Sequence, residues 1–219
     1  MLDCAVSSLE GAADKRALSS RQDGRRGKII EIAADAFLRD GYANTSMSSI
    51  AAKVGGSKGT LWSYFSSREE LLVAVIEYET RDSRARIASM LSPSTDVRCT
   101  LAEFGRCLLT RITSRRALSL HRLVVGESGR HPEIAEIFFQ TVISKIYGML
   151  AAYLQDCATR GVFSFQQSRR PARTLMTLLT GNSFQNLLMG LQQSVDDEEI
   201  NSDVEHALDC FFNAYSPTT

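Results

Sequence analysis

Residues 55–65 read GGSKGTLWSYF and set serine, lysine, threonine, tryptophan and tyrosine among three glycines. Three chemistries use such a set. Gly55-Gly56-Ser57-Lys58-Gly59 fits G-x-S-x-G, which exposes a nucleophilic serine when it sits on a strand-to-helix turn. Glycines beside a lysine and a threonine can cradle a nucleotide phosphate. A tight glycine turn opening a short helix can also present Lys, Thr, Trp and Tyr to a nucleic acid. The flanking elements decide among the three.

A nucleophile elbow needs a strand running into its serine, with a histidine and an acid in support. The residues before Gly55, SMSSIAAKV (46–54), follow a helical period instead. Met47, Ile50, Ala51 and Val54 fall at i, i+3, i+4 and i+7, behind Thr45 or Ser46 as N-cap and ahead of Gly55 as the stop. The three histidines, His121, His131 and His206, carry no motif that ties them to Ser57. A phosphate loop needs Gly-Lys-Thr after a strand, whereas the order here is Lys58-Gly59-Thr60 after a helix. HExxH, Glu-x-x-His and triad spacings are absent as well. No catalytic residue, metal ligand or cofactor is expected, and the chain does not read as an enzyme.

Helix, short glycine turn, helix is the layout of a helix-turn-helix, whose second helix enters the DNA major groove. Met47, Ile50, Ala51, Val54, Leu61 and Phe65 would fill the small core, leaving Lys58, Gly59, Thr60, Trp62 and Tyr64 to face outward. Lysine can donate to guanine O6 and N7, and a residue without Cβ lets the backbone approach closely. Thr60 and Tyr64 can donate to phosphates, and Trp62 can donate through its indole or touch a thymine methyl. The alternative is a plain helical hairpin with its aromatics buried. Trp62 and Phe65 cannot both point inward on so short a helix and leave much outward face, which favours DNA.

The chain has 219 residues, 44% of them apolar, enough for a buried core in one large domain or in a small domain attached to a larger one. Formal net charge is zero, with 25 basic and 25 acidic residues, so bulk charge names no partner. Its distribution is uneven: RQDGRRGK (21–28) is basic and DDEE (196–199) acidic. Residues 1–23 lack helical periodicity and read as a mobile basic arm. No uninterrupted apolar run approaches the roughly 18 residues that span a bilayer, so no membrane partner is expected. Met1–Ser20 has no signal-peptide core, and the five cysteines show no CxxC spacing, as reduced thiols of a cytoplasmic protein would.

Helical periods dominate the rest. Ile29, Ala33, Ala36 and Phe37 form a stripe ended by Gly41, and SSREELL (66–72) carries a capping box, Ser66 with Glu69 or Ser67 with Glu70. Later stripes include Leu101, Phe104, Leu108 and Ile112, then a proline-started helix from Pro132. A further stripe through Ile143, Ile146, Tyr147, Leu150 and Leu154 ends at Arg160-Gly161. A helix from about 169 to 192 and a last one over 198–215 complete the chain. No segment alternates with period two, so the fold class is all-α: an N-terminal three-helix helix-turn-helix domain (24–68) followed by a larger helical domain (69–219).

Residues 28–72 resemble the DNA-binding domain of TetR-type transcriptional regulators. The likeness rests on A-x-x-x-F-x-x-x-G-Y (33–42), T-S-M-x-x-I-A (45–51), S-K-G-T-L (57–61) and Y-F-x-x-[KR]-E-x-L (64–71). It implies that Lys58 and Gly59 face base edges, and that Thr45, Ser46, Thr60, Trp62, Tyr64 and Arg68 stand near phosphates or the groove wall. Ser48 would begin the second helix on the DNA side. Trp62 stands where the family usually has tyrosine, Arg68 where it has lysine, and Gly56 where the turn carries an apolar residue. RLVVGESGRHPEIAEIFFQ (122–140) is similar, more loosely, to the AcrR-like branch.

The resemblance implies a prokaryotic, ligand-inducible repressor that binds a palindromic operator in double-stranded DNA as a homodimer and is released by a small, largely apolar effector. One recognition helix reads only a few base pairs, which independently calls for a symmetric dimer. The two C-terminal helices would pair across the twofold axis through Leu175, Leu178, Leu179, Asn182, Leu188, Leu208, Phe211 and Phe212, unless those stripes only close the monomer's core. The effector cavity would be lined by Phe104, Leu108, His121, Val125, Tyr147, Met176 and Phe184. An activator using the same reading head, or a helical protein–protein adaptor, are the alternatives.

Overall fold

A computed structural model describes residues 24–55, 58–91 and 96–217, apart from the side chains of Lys58 and residues 82–84. The basic arm at 1–23 lies outside the described residues. Every regular element among the described residues is a helix, as the sequence periods predict. The chain divides into two compact units, one up to Val75 and one from Ile76, the division falling within a single helix, α4 (Arg68–Met90).

The first unit comprises α1 (residues 24–40), α2 (Met47–Val54), α3 (Lys58–Tyr64) and the start of α4. Gly41 and Gly55 end α1 and α2 with φ of 83° and 74°, the left-handed region in which glycine is unstrained. Ser46 caps α2 by accepting from Ser49 N at 3.1 Å, and Ser49 Oγ accepts from Ser46 N in return, a reciprocal box made by two serines. At α4, Ser67 Oγ accepts from Glu70 N at 3.0 Å, while the Glu70 carboxylate accepts from both N and Oγ of Ser66, each at 2.7 Å. Those Ser66 contacts hold the Glu70 carboxyl below its ordinary pKa. Ile29, Phe37, Tyr42, Ile50, Leu61, Phe65, Leu71 and Leu72 are buried together as the core.

Two residues assigned to the DNA side from the sequence are engaged within this unit: Thr45 in its core, against that expectation, and Arg68 on the Tyr42 ring. Thr45 is 2% exposed, and its Oγ1 donates to Gly41 O (2.8 Å), with Ala36 O at 3.3 Å. Its hydroxyl stitches the α1–α2 turn and faces inward. Arg68 lays its guanidinium over the Tyr42 ring at 3.9 Å and donates to Tyr42 O at 3.2 Å, with Thr45 O at 3.4 Å. The planar fork ties α4 to the same turn, a geometry that a lysine could not reproduce. Beneath it Tyr42 Oη donates to Glu69 Oε1 at 2.9 Å, and burial first, then this bond, pushes the phenol up to about 12.

The second unit holds α5 (Val97–Ile112), α6 (Arg115–Glu127), α7 (Pro132–Phe138), α8 (Ser144–Thr159), α9 (Arg169–Thr180), α10 (Ser183–Met189) and α11 (Asp197–Tyr215), with the rest of α4. Its centre is built from α5, α8, α9 and α11 through Leu101, Phe104, Leu150, Leu154, Leu175, Leu179, Val204, Leu208 and Phe211, all buried. Gly105 sets the spacing: a Cβ there would lie 3.0 Å from Leu179 Cδ2 and 3.1 Å from Val204 Cγ2.

Three features differ from the sequence-based expectation. The helix expected over 169–192 breaks at Gly181-Asn182, where Asn182 Nδ2 and Ser183 N both donate to the Asp203 carboxylate at 2.7 and 3.2 Å. Pro132 does start a helix, but α7 and α8 are one continuous rod joined by a π-turn, Phe139–Ile143. That 28-residue rod contains an 18-residue window with a mean hydropathy of 1.4 and is long and apolar enough by length and composition to cross a membrane. Ile146, Leu150 and Leu154 bury its apolar face within the unit, as in the core helix of a globular protein.

The last helix finds most of its cover within the chain. Phe163 packs against Phe211 and Phe212 at ring distances of 5.4 and 5.2 Å, Phe165 against Tyr215 at 5.6 Å, and Ser164 N donates to Tyr215 O at 2.8 Å. Leu175, Leu179, Leu208 and Phe211 are fully buried inside the unit and are therefore not on a surface that a partner could meet. Of the residues expected at a dimer interface, Leu178, Leu188 and Phe212 remain half-buried and Asn182 exposed.

Candidate nucleic-acid interface and a cavity in the second unit

On α3 the pair Leu61 and Phe65, four residues apart, faces the core with 2% and 0% exposure. Rotating by about 100° per residue then turns the following position outward. Trp62 accordingly stands 49% exposed, a large aromatic side chain with no core role. Gly59 and Ser63 share its exposed side, and Thr60 and Tyr64 are half-buried along the flank. Ser46 and Ser48 are exposed at the start of α2. The backbone of Lys58 opens α3; its side chain and residues 56–57 lie outside the described residues. The result is a short helix offering an indole N–H, hydroxyls and a bare backbone position, chemistry suited to base edges and phosphates.

The second unit contains a cavity of about 260 Å³. Leu108, His121, Tyr147, Met176 and Phe184 line it, five of the seven residues expected from the sequence. The other two are corrected by the fold. Phe104 is fully buried in the α5 core, away from the cavity, and Val125 is 66% exposed on the opposite face of α6 from Leu120, Leu123 and Val124. Phe138, Val142 and Ile146 complete one wall, along the α7–α8 rod.

Polar wall residues escaped the sequence reading altogether. Glu79, Arg111 and Arg116 line the cavity. Arg116 Nε donates to Glu79 Oε2 at 2.7 Å, and Arg111 donates through its guanidinium to the Glu79 backbone carbonyl at 2.8 Å. Glu79 lies in the charged run EYETRD (77–82), which looks like a solvated helix face, and only the packing of α5 and α6 against α4 brings it inside. The one available signal was its position three residues beyond Ile76, on the buried stripe.

His121 sits between two aromatic rings, Phe138 and Phe184, each edge-on at 5.1 Å. Its Nδ1 lies 2.8 Å from Ala117 O, and because a carbonyl only accepts, Nδ1 carries the proton and Nε2 keeps a lone pair. Burial lowers the imidazole pKa, outweighing the opposing bond to Ala117. The unfolded chain therefore takes up this proton near pH 6.5 while the folded chain resists it. The associated stability is complete above about 6.5 and is lost as pH falls from there through the folded value. Thermal melts of wild type and His121→Phe between about pH 7 and 5 should show a steeper acid loss in wild type. Parallel curves would mean that burial does not hold this ring neutral.

Comparison with known proteins agrees with this geometry. Residues 29–75 match the family model for bacterial regulatory proteins of the tetR family, and residues 99–217 match the C-terminal domain of AefR-like transcriptional repressors. Among solved structures, the Flavonoid-responsive Regulator FrrA is 28% identical, with a TM-score of 0.79 over 90% of this chain and 100% of that one. A putative TetR-family regulator from Mesorhizobium loti MAFF303099 shares the fold at 22% identity, with a TM-score of 0.79 over 90% and 99% of the two chains. The transcriptional activator FasR of Mycolicibacterium smegmatis is 34% identical over 35% of each chain. With one family match covering more than half of its length and a second covering the α2–α3 unit, the chain belongs to the TetR family of bacterial regulatory proteins and is a helix-turn-helix DNA-binding transcriptional regulator, not an enzyme.

Proposed function

We propose that the protein is a cytoplasmic, ligand-inducible repressor that binds a palindromic operator as a homodimer and lets go when a small effector fills the cavity of its second unit. The observation that carries this reading is the coexistence of an outward-facing, aromatic α3 with a separate, largely apolar cavity of about 260 Å³. Lys58 and Gly59 read bases; Ser46, Ser48, Thr60, Trp62 and Tyr64 hold phosphates or the groove wall. The AefR-like repressor match and the effector-responsive name of FrrA support repression and induction. Dimer contacts fall to what the monomer leaves uncovered near its C-terminal helices, including Leu178, Leu188, Met189 (63% exposed) and Leu191 (75% exposed). The likeness to FasR favours an activator as the second reading, with the same DNA-binding residues.

Fluorescence anisotropy on labelled fragments from upstream of the gene, at two salt concentrations, tests the reading head. Wild-type binding should fall steeply with salt, and Lys58→Ala or Trp62→Ala should weaken it by roughly tenfold, as the loss of one good base or phosphate contact does. Binding that ignores both substitutions would move the DNA surface elsewhere. An effector that weakens the complex by about 5–150-fold fits ordinary allosteric coupling, and tightening by the same ligand would favour the activator.

A further inference from the structure

The cavity wall holds an acceptor that is unpaired and within a ligand's reach. The half-buried His121 lines the cavity, and its Nδ1–H is committed to Ala117 O at 2.8 Å, which leaves Nε2 with a lone pair. Among the described residues nothing donates to Nε2. The atom nonetheless keeps accessible surface, unlike Glu79 Oε1, which is buried in the same wall. Edge-on packing at 5.1 Å against Phe138 and Phe184 fixes the orientation of the ring, and with it the direction of the lone pair. Burial lowers the imidazole pKa, so the ring stays neutral and Nε2 stays an acceptor near neutral pH.

The rest of the wall narrows what can bring the missing donor. Thr80 and Thr180 turn their hydroxyl hydrogens back onto their own helices, donating to Ile76 O at 2.7 Å and Met176 O at 2.8 Å. Water needs roughly two to four polar partners to be held, which a mostly apolar cavity offers poorly. A ligand that is apolar apart from its donor suits the space better. Phe138, Tyr147, Met176 and Phe184 give that remainder aromatic edges and a polarizable sulfur, which favour rings. At about 260 Å³ the cavity falls below the roughly 300–1,000 Å³ of pockets for drug-sized molecules, so a compact ligand fits best. We propose that His121 is the polar anchor of the cavity, holding a compact, mostly apolar aromatic molecule through a single O–H donated to Nε2. This rests on the reading of the cavity as the effector site and names the chemistry it selects.

Isothermal titration of the full chain with a naphthol, its methyl ether and the matching naphthoate provides the test. The naphthol should bind, and the ether, which keeps the rings and loses the donor, should bind roughly tenfold more weakly. His121→Phe keeps a ring and removes the acceptor, so the preference for naphthol over ether should shrink to about threefold or less. A purely structural role for His121 would weaken both ligands alike and leave their ratio unchanged. His121→Leu repeats the comparison should the larger ring crowd Phe138 and Phe184, and the wild-type pair stands without either variant. Arg111 and Arg116 also line the cavity, so naphthoate, a carboxylate without a donor, represents the competing chemistry. An ether that binds as well as naphthol, a preference that persists in both variants, a tighter complex with naphthoate, or no binding of any of the three would overturn the proposal without touching the DNA-binding role. Naphthol binding that leaves operator affinity unchanged would instead sink the inducible reading while His121 kept its part as anchor.

Discussion

Replacing Phe65 by alanine is expected to abolish operator binding while ligand binding in the cavity persists. The ring is fully buried, its backbone N–H closes the last turn of α3 onto Leu61 O at 3.0 Å, and the Arg26 guanidinium covers it at 5.0 Å. Among the described residues of the short α3, Leu61 and Phe65 are the buried ones, so truncation removes one of its two buried anchors. Losing a buried phenylalanine costs about 3–5 kcal/mol, a large part of the roughly 5–15 kcal/mol that holds a whole domain together. Among the described residues the cavity is lined from Glu79 onward, all of them in the second unit. Anisotropy and calorimetry on one preparation check the split, with Trp62→Ala as contrast. Because Trp62 is 49% exposed, its loss should move stability by no more than about 0.5 kcal/mol while still weakening DNA binding. A Phe65→Ala protein that binds operator within about threefold of wild type would show that α3 is held by something other than this ring.

Gly105→Leu should do to the second unit what Phe65→Ala does to the first, by the opposite means. No Cβ fits between α5, α9 and α11 without displacing Leu179 and Val204, so a full isobutyl group must push two helices apart. Overpacking of this kind costs roughly 1–3 kcal/mol and more when several neighbours must move together. Alanine is the informative control. Its methyl crowds the same atoms at 3.0–3.2 Å, yet leaving glycine recovers up to about 1 kcal/mol of helix propensity, so the two effects nearly cancel. In thermal melts the leucine variant should lose at least several degrees and the alanine variant little. A leucine variant as stable as wild type would mean that α5 can slide, which the packing around Gly105 argues against.

Local features of this fold were legible in the sequence, and the failures share a cause. Gly41, Gly55, Ser46, Ser67 and Pro132 act within a turn of where they stand, and each marks the helix end that its type announced. The outward face of α3 follows from Leu61 and Phe65 alone. By contrast, the break at Asn182 is made by Asp203, twenty-one residues on, while the apolar period runs on through it to Phe184 and Leu187. Arg68 reaches Tyr42 across 26 residues, a clamp that nothing in the local sequence announces. Glu79 was invisible because nothing near it in sequence reveals that α5 and α6 will bury it. Phe211 was assigned to a partner because its cover, Phe163, sits in a loop without periodicity.

The π-turn in the α7–α8 rod carries a last implication. A regular helix advances each side chain by about 100°, so the wider turn over Phe139–Ile143 shifts the phase of everything after it relative to everything before. Phe138 ahead of the turn and Ile146 and Tyr147 behind it share one cavity only because of that offset. Losing or gaining a single codon at this joint would turn the whole of α8 and exchange the side chains shown to the same enclosed space, with the helix axis left in place. Insertion and deletion at one point thus give this scaffold a way to change what its cavity would admit in a single step, where point substitution must proceed residue by residue.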